Sequence, residues 1–419
     1  MSSTEVQPRP DLDGMSPLEV AGQLRHLPGL VFLDSAGNLP ADEASPASII
    51  AAGPVEVLKG SIFDENDRAR LEARIAARGG RPATDLGFPT GGLCGWIGYE
   101  GGFVFGDYPR MLVHTEAGGW ADVGGLAGEM RTHPPLERPW IGPVEAQWTR
   151  RRFVDSVARI REWIAAGDIY QVNLAQGFAA EVRGASLFSL YERLRAVSPA
   201  PMAAWLSLDG TEVLSSSPET FLRISGRGIE TRPIKGTRPR FAEPAADRRS
   251  AYELQTSPKE IAELVMITDL LRNDLGRICE FGSVEVEEML RLETLAQVHH
   301  LVSVVRGRLR EGVSAVSAVA SCFPGGSITG APKRRAMEII SELEQAPRGI
   351  YCGAIGCFGY HGESRFNIAI RTMVREGNRL HFHAGAGIVA DSDPEKEFEE
   401  TLHKAEGIRL ALQDFSGRA

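Results

Sequence analysis

No stretch of 18 apolar residues occurs anywhere in the 419-residue chain, so no segment can span a bilayer as a helix. Met1 to Gly14 is polar and partly acidic and has no apolar centre of the secretory-leader type, so a cytoplasmic location is expected. Basic tracts are short, Arg150-Arg151-Arg152 being one, and the net charge is -9, which argues against a nucleic-acid groove. Cysteine is scarce: Cys94, Cys279, Cys322, Cys352 and Cys357 are odd in number and form no CxxC pair. Reduced core thiols are expected rather than a disulfide framework or a zinc site. The nine histidines make no HExxH pattern, and no GxxxxGK[ST] loop is present. There is no internal repeat. At 43% hydrophobic and 24% charged, the composition is that of a globular protein with a sizeable core.

Residues 1–14 read as a mobile tail, and Gly124–Pro143, rich in Pro, Gly and Glu, as a linker or surface loop. Leu30–Ser35 reads as a strand. Phe153, Val157, Ile160 and Ile164 recur at helical spacing before Gly167. Strands are expected at Tyr170–Ala175, Met202–Leu208, Val213–Ser217, Phe221–Ile224 and Ile229–Ile234, with a hairpin from Phe366–Val374 to Leu380–Ala384. Helices are expected from Ser257 to about Asn273, before Phe323, over Lys333–Glu344 and from Pro394 to about Leu412. Runs of strands separated by runs of helices indicate α+β with antiparallel sheets.

Two helices carry paired glutamates. Ser257-Pro258-Lys259-Glu260 has the form of a capping box, which puts Glu260 and Glu263 on one face. Asp393-Pro394 opens the last helix, where Glu397, Glu400 and Lys404 share a face beside an apolar stripe of Phe398, Leu402, Ala405 and Ile408. Converging carboxylates suit a hard divalent cation, yet spacing alone reads as two solvated helix faces. Three glycine-rich stretches, Phe323–Lys333, Gly353–Gly356 and Ala384–Ile388, fall near strand ends, as in a ligand pocket. Lys235 stands before Gly236 at a strand end and Glu219 on the preceding turn.

Taken together these stretches resemble the chorismate-utilising enzymes, a family that includes anthranilate, aminodeoxychorismate, isochorismate and salicylate synthases. The resemblance is detailed from about residue 150 onward. It rests on Asp168–Leu174, Ser217-Pro218-Glu219, Asp269–Arg277, Val298–Ser303, Phe323–Lys333 and Ala384–Ser392. It implies two large antiparallel sheets packed as a sandwich with helices outside, residues 1–145 adding outer strands and 146–419 forming the chorismate-binding catalytic region. It also reverses the reading of the glutamates: Glu263 and Glu400, with Glu260 and Glu397, become the expected Mg²⁺ ligands. Glu219 becomes a general acid/base. Arg371, Tyr351 and the Gly385-Ala386-Gly387 backbone are expected at the enolpyruvyl carboxylate. Thr329, Gly330, His300 and Lys404 are expected at the ring substituents.

Within the family the Pro-Ile-x-Gly-Thr motif carries alanine in anthranilate synthases and lysine in aminodeoxychorismate synthases. This chain has Pro233-Ile234-Lys235-Gly236-Thr237. The resemblance therefore implies amination of chorismate at C4, toward 4-aminobenzoate and folate, with Lys235 as a transient nucleophile. The alternatives are anthranilate formation, or a non-catalytic subunit that senses chorismate or tryptophan. The joint presence of Lys235, Glu219, Glu263 and Glu400 argues against a sensor. No glutaminase pattern occurs and no lyase domain is expected, so ammonia should come from a glutamine amidotransferase partner. The tryptophan-binding Leu-Leu-Glu-Ser motif of some members is Phe32-Leu33-Asp34-Ser35 here, which puts tryptophan binding in question.

Overall fold

The computed structural model describes residues 6–35, 48–79, 87–295 and 298–415. Among them, two antiparallel sheets of thirteen and ten strands dominate the molecule. In the larger sheet, Gln171–Arg183 pairs with Arg379–Ile388 over ten residue pairs, from Val172 opposite Ile388 to Glu181 opposite Arg379. N-terminal strands join this sheet directly, Val31–Asp34 lying between Met202–Leu208 and Ser48–Ala51. The smaller sheet carries Ile234–Pro239 at its edge, beside Val298–Arg308. It also takes in Gly92–Ile97, Gly102–Tyr108 and Val57–Ser61 from the N-terminal part.

Both faces of the larger sheet are covered, so its strands read as continuous apolar runs. Val31, Ile49, Ala204 and Val374 pack against Cys94, Trp96, Ile355 and Cys357 of the smaller sheet. Their neighbours Phe32, Ile50, Trp205 and Met373 point the other way, toward Tyr191, Leu194, Ile408 and Leu412 of the outer helices. The alternation assigns successive residues to two different cores. All five cysteines are buried and free, as expected. No helix among the described residues is long and apolar enough to cross a membrane.

Several local expectations need correction. Val6–Pro8, expected in a mobile tail, is a strand paired with residues 121–123. The expected linker buries Leu126, whose backbone N–H donates to the Asp122 carboxylate at 2.8 Å. Trp140–Ile141 in that stretch pairs with Val182 and Arg183. Ile229–Ile234 is two strands, Gly228–Arg232 and Ile234–Pro239, broken at Pro233, which has no N–H to give a ladder. The expected strand Phe366–Val374 is also broken: Glu363–Asn367 belongs to the smaller sheet and Thr372–Glu376 to the larger, so the chain crosses between sheets at 368–371. Arg371 has φ +50° at this crossing. On the last helix, Pro394–Gln413, the buried side includes Glu397 and Thr401, and Leu402 is exposed rather than part of an apolar stripe.

Candidate active site

Lys235 is placed by a bulge. Its strand runs in register with Val298–Arg308 until a shift between Lys235 and Thr237. Gly236 sits in that shift with φ +71°, and a Cβ there would meet Leu254 Cδ1 at 2.6 Å and Glu260 Oε2 at 3.1 Å. Only glycine accepts both the dihedral and the approach of the neighbouring helix. That helix, Pro258–Gly276, begins at Ser257, whose hydroxyl accepts from the Glu260 N–H at 3.5 Å, with proline in the first turn. The reciprocal half of the expected capping box is not formed. The Glu260 carboxylate instead lies 3.7 Å from Arg238 Nη1 and beside Gly236.

The predicted glutamates come together with three lysines interleaved. Lys235 Nζ lies 3.4 Å from Glu263 Oε2. Lys404 Nζ lies 2.7 Å from Glu400 Oε1 and donates to the Gly385 carbonyl at 3.1 Å. Lys259 Nζ lies 3.4 Å from Glu397 Oε1 and 4.0 Å from Glu263 Oε1, so it bridges the two helices. Glu397 Oε1 also accepts from the Ser392 hydroxyl at 2.7 Å, while Glu397 Oε2 is buried with no partner. Burial, then the charge of Glu263, raises the Glu260 carboxyl above its ordinary value. Burial also opposes ionisation of Glu400, but Lys404, Lys259 and Lys235 outweigh it and hold that carboxyl below its ordinary value.

These groups fit a hard divalent cation in kind. They are all-oxygen, largely buried, drawn from two helices, and include one orphaned carboxylate oxygen. No three of them converge as a ready-made cage among the described residues. The lysines take up the negative charge that bare carboxylates would otherwise set against one another.

Glu219 is buried and within electrostatic reach of Lys235 and Lys404. Burial pushes its carboxyl up to about 7, against a hydrogen bond from Ser327 and the positive charges of Lys235 and Lys404. Its backbone is pinned in the crossing region, where its carbonyl accepts from the Ile368 N–H at 3.0 Å. A carboxyl poised near neutrality can both donate and accept a proton.

Several of the remaining predicted residues neighbour Lys235 and one another. A Cβ on Gly387 would meet Gln171 Nε2 at 2.5 Å and Lys235 Nζ at 3.5 Å. One on Gly385 would meet the Tyr351 hydroxyl at 3.0 Å. Bare backbone at Gly385-Ala386-Gly387 therefore faces Tyr351, Gln171 and Lys235. Burial lowers Arg371, and no carboxylate among the described residues pairs with it, so its fork is available to an anionic ligand. Burial, then Arg371, pushes His300 down to about 4, and its Nδ1 lies 3.0 Å from the Thr237 hydroxyl. Thr329 is placed differently: its hydroxyl donates to the Gly325 and Gly326 carbonyls at 3.0 and 3.3 Å. Gly330 pairs with Val172 at the end of the long strand.

Three participants were not singled out as site residues in the sequence. Gln171 is buried with its Oε1 unpartnered, Ser327 donates to Glu219, and Lys259 bridges the glutamates. Gln171 and Ser327 stand inside motifs that carried the resemblance, which was the available signal. Lys259 looks like any exposed lysine in a first helical turn.

The chain is 46% identical over 356 residues to anthranilate synthase component 1 of Methanothermobacter thermautotrophicus, covering 80% of this chain and 76% of that protein. It is 44% identical over 270 residues to aminodeoxychorismate synthase component 1 of Salmonella typhimurium, covering 64% and 59%. It is 46% identical over 285 residues to an anthranilate synthase component 1 of Haloarcula marismortui, covering 68% and 58%. The chain thus spans little more than half the length of several curated relatives it matches. The crystal structure of anthranilate synthase component I from Streptococcus pneumoniae superposes with a TM-score of 0.75 at 28% identity, covering 89% of this chain and 93% of that one. The menaquinone-specific isochorismate synthase of Escherichia coli, 19% identical, shares the fold with a TM-score of 0.78 over 98% of this chain and 94% of that one. Residues 67–409, most of the chain and all of the site just described, match the chorismate binding enzyme family, and this chain belongs to that family.

Proposed function

We propose that this chain aminates chorismate at C4, giving 4-amino-4-deoxychorismate, the precursor of 4-aminobenzoate. The observation that carries the reading is Lys235, an amine held at a bulge between Glu263 and the bare backbone of Gly387. The named relatives divide between anthranilate and aminodeoxychorismate synthases, so overall similarity does not choose between the products. The residue at position 235 supports the C4 product, on chemical grounds. The lysine amine adds to C2 of the ring as the diene shifts and the C4–O bond breaks, and the Glu219 carboxyl gives its proton to the departing hydroxyl, which leaves as water. Ammonia then forms the C4–N bond, the double bonds shift back, and the C2–N bond breaks to return the lysine. The surplus proton of ammonia goes to Glu219. One difficult displacement becomes two easier ones.

Before that, the Lys235 amine, 3.4 Å from Glu263 Oε2, must be uncharged to attack, and its proton would pass to solvent. Arg371, Tyr351 and the Gly385–Gly387 backbone would hold the enolpyruvyl carboxylate. Glu263, Glu397, Glu400 and Glu260 would hold Mg²⁺, which when bound neutralises the ring carboxylate and eases loss of the C4 hydroxyl. Chelation should abolish turnover, and Glu263→Gln and Glu400→Gln should each lose most of it. Activity that persists in excess chelator would contradict the metal assignment.

Ammonia supply gives a second test. Ammonium has a pKa well above neutrality, so little NH₃ is present at physiological pH. A glutamine amidotransferase partner that releases ammonia beside the site would raise its local concentration. This chain should therefore use ammonium salts, faster in alkaline than in neutral buffer, and should gain glutamine dependence and a flatter pH response when the partner is added. Turnover of glutamine by this chain alone would overturn the partner reading.

Anthranilate formation is kept as the second reading because relatives with that name match over up to 80% of the chain. It requires ammonia to attack C2 directly, and Lys235 then has no chemical task.

A further inference from the structure

Lys235 has a task in the proposed reaction and Lys404 is expected at the ring substituents, but Lys259 has neither role. Yet its position is the most specific of the three with respect to the carboxylates. Its ammonium stands between Glu397 Oε1, at 3.4 Å, and Glu263 Oε1, at 4.0 Å, joining the first turn of one helix to the first turn of the other. Both partners are nearly enclosed, with side-chain exposures of 4% and 11%, whereas the Lys259 side chain is 48% exposed. The carboxylates are fixed, Glu397 by Ser392 and both by burial. The lysine is tethered only by a flexible stem that reaches in from solvent. Glu397 Oε2, buried and unpartnered, marks the position as one where the carboxylate's needs are only half met by the ammonium.

We propose that Lys259 is a built-in counter-ion for the metal site: it holds the Glu263–Glu397 pair together in the metal-free protein, and a divalent cation must displace it to bind. The inference rests on the proposed metal reading and goes beyond it by assigning a residue that competes with the metal. A monovalent ammonium faces one oxygen of each carboxylate and leaves Glu397 Oε2 without a partner, whereas a divalent cation would bring twice the charge to the same pair. Displacement disturbs no packing, because the lysine swings to water, and its cost is the lost attraction to the two carboxylates. While it is seated, however, only the fraction of molecules with the lysine swung out is competent for metal. The apparent affinity is reduced by that fraction.

Mn²⁺, followed by its electron paramagnetic resonance signal, is a suitable probe in place of Mg²⁺ and is independent of turnover. Lys259→Met keeps the length and apolar stem of the side chain and removes its charge. Expected is Mn²⁺ binding about tenfold tighter in Lys259→Met than in the parent chain. The variant should also have a lower melting temperature without metal and a larger rise when metal is added, because two enclosed carboxylates have lost their counter-charge. Unchanged or weaker Mn²⁺ binding in the variant would overturn the inference. Absence of Mn²⁺ binding in the parent chain would overturn the metal reading itself, a different failure. A measurement on the unaltered protein guards against a variant that does not fold. Acetylation of Lys259 by acetic anhydride, quantified by peptide mass spectrometry, should rise several-fold when Mg²⁺ is added. Acetylation that stays the same or falls would count against displacement.

Discussion

Lys235→Ala should reduce formation of aminodeoxychorismate by about 10³-fold or more, the scale of losing a covalent nucleophile. The substitution removes the group that adds at C2 and leaves ammonia to displace a poor leaving group at C4 unaided. It also leaves Glu263 without its nearer lysine, so Lys235→Gln is a useful companion: it keeps the bulk of the side chain and should be equally inactive. The altered site still holds Glu219, Arg371 and the glutamates, so chorismate should still bind, and slow appearance of a C2-substituted product is expected. Steady-state assays with ammonium, product identified by mass, provide the check. Wild-type turnover in Lys235→Ala would remove the nucleophile and leave direct attack by ammonia as the mechanism.

Glu219→Gln should lose about 10²- to 10⁴-fold in rate, the usual contribution of a general acid or base. It should also make the protein more stable at alkaline pH. The Glu219 carboxyl is shifted from 4.5 to about 7 by burial, so the folded state binds its proton more tightly than the unfolded state does. A raised folded value contributes stability that is fully present below 4.5 and lost as pH rises through about 7. Glutamine avoids this loss. The two proteins should melt alike in acid, and the glutamine form should be favoured by up to about 3 kcal/mol above neutrality. Melting curves across this pH range check the sign. A glutamine variant that is less stable at alkaline pH would show that Glu219 is held ionised in the folded protein. The combination of a large loss in rate and a gain in stability separates a functional carboxyl from a structural one.

Much of this site was legible in the sequence, but through motifs rather than through spacing. The helix over Pro258–Gly276 announced itself by Ser257-Pro258, and the last helix by Asp393-Pro394. That their glutamates come together was not legible from periodicity, because an i,i+3 pair looks the same on a solvated face. Lys259 shows the reverse difficulty. Nothing local distinguishes it, and its role arises only from the packing of two helices 138 residues apart at the contacting positions. The crossing between sheets at 368–371 was missed for a physical reason. Phe366 to Val374 is almost uniformly buried because each half is covered in a different sheet, and its polar residues, Asn367, Arg371 and Thr372, include no glycine or proline to mark where the chain changes sheet. The N-terminal tail was misread because Val6–Pro8 is short and half polar, and its pairing depends on a partner strand more than 110 residues away. The sandwich itself was implied by the resemblance, while the alternation of Val31, Phe32, Ile49 and Ile50 between two cores appeared only with the structure.

The fate of the enolpyruvyl group decides the central claim. Chorismate incubated with this chain, Mg²⁺ and ammonium in alkaline buffer should give a product that keeps the enolpyruvyl ether and carries an amine in place of the C4 hydroxyl, with no pyruvate released. An added lyase should then convert that product to 4-aminobenzoate. Release of pyruvate in step with anthranilate, without any lyase, would contradict the account and place the amine at C2.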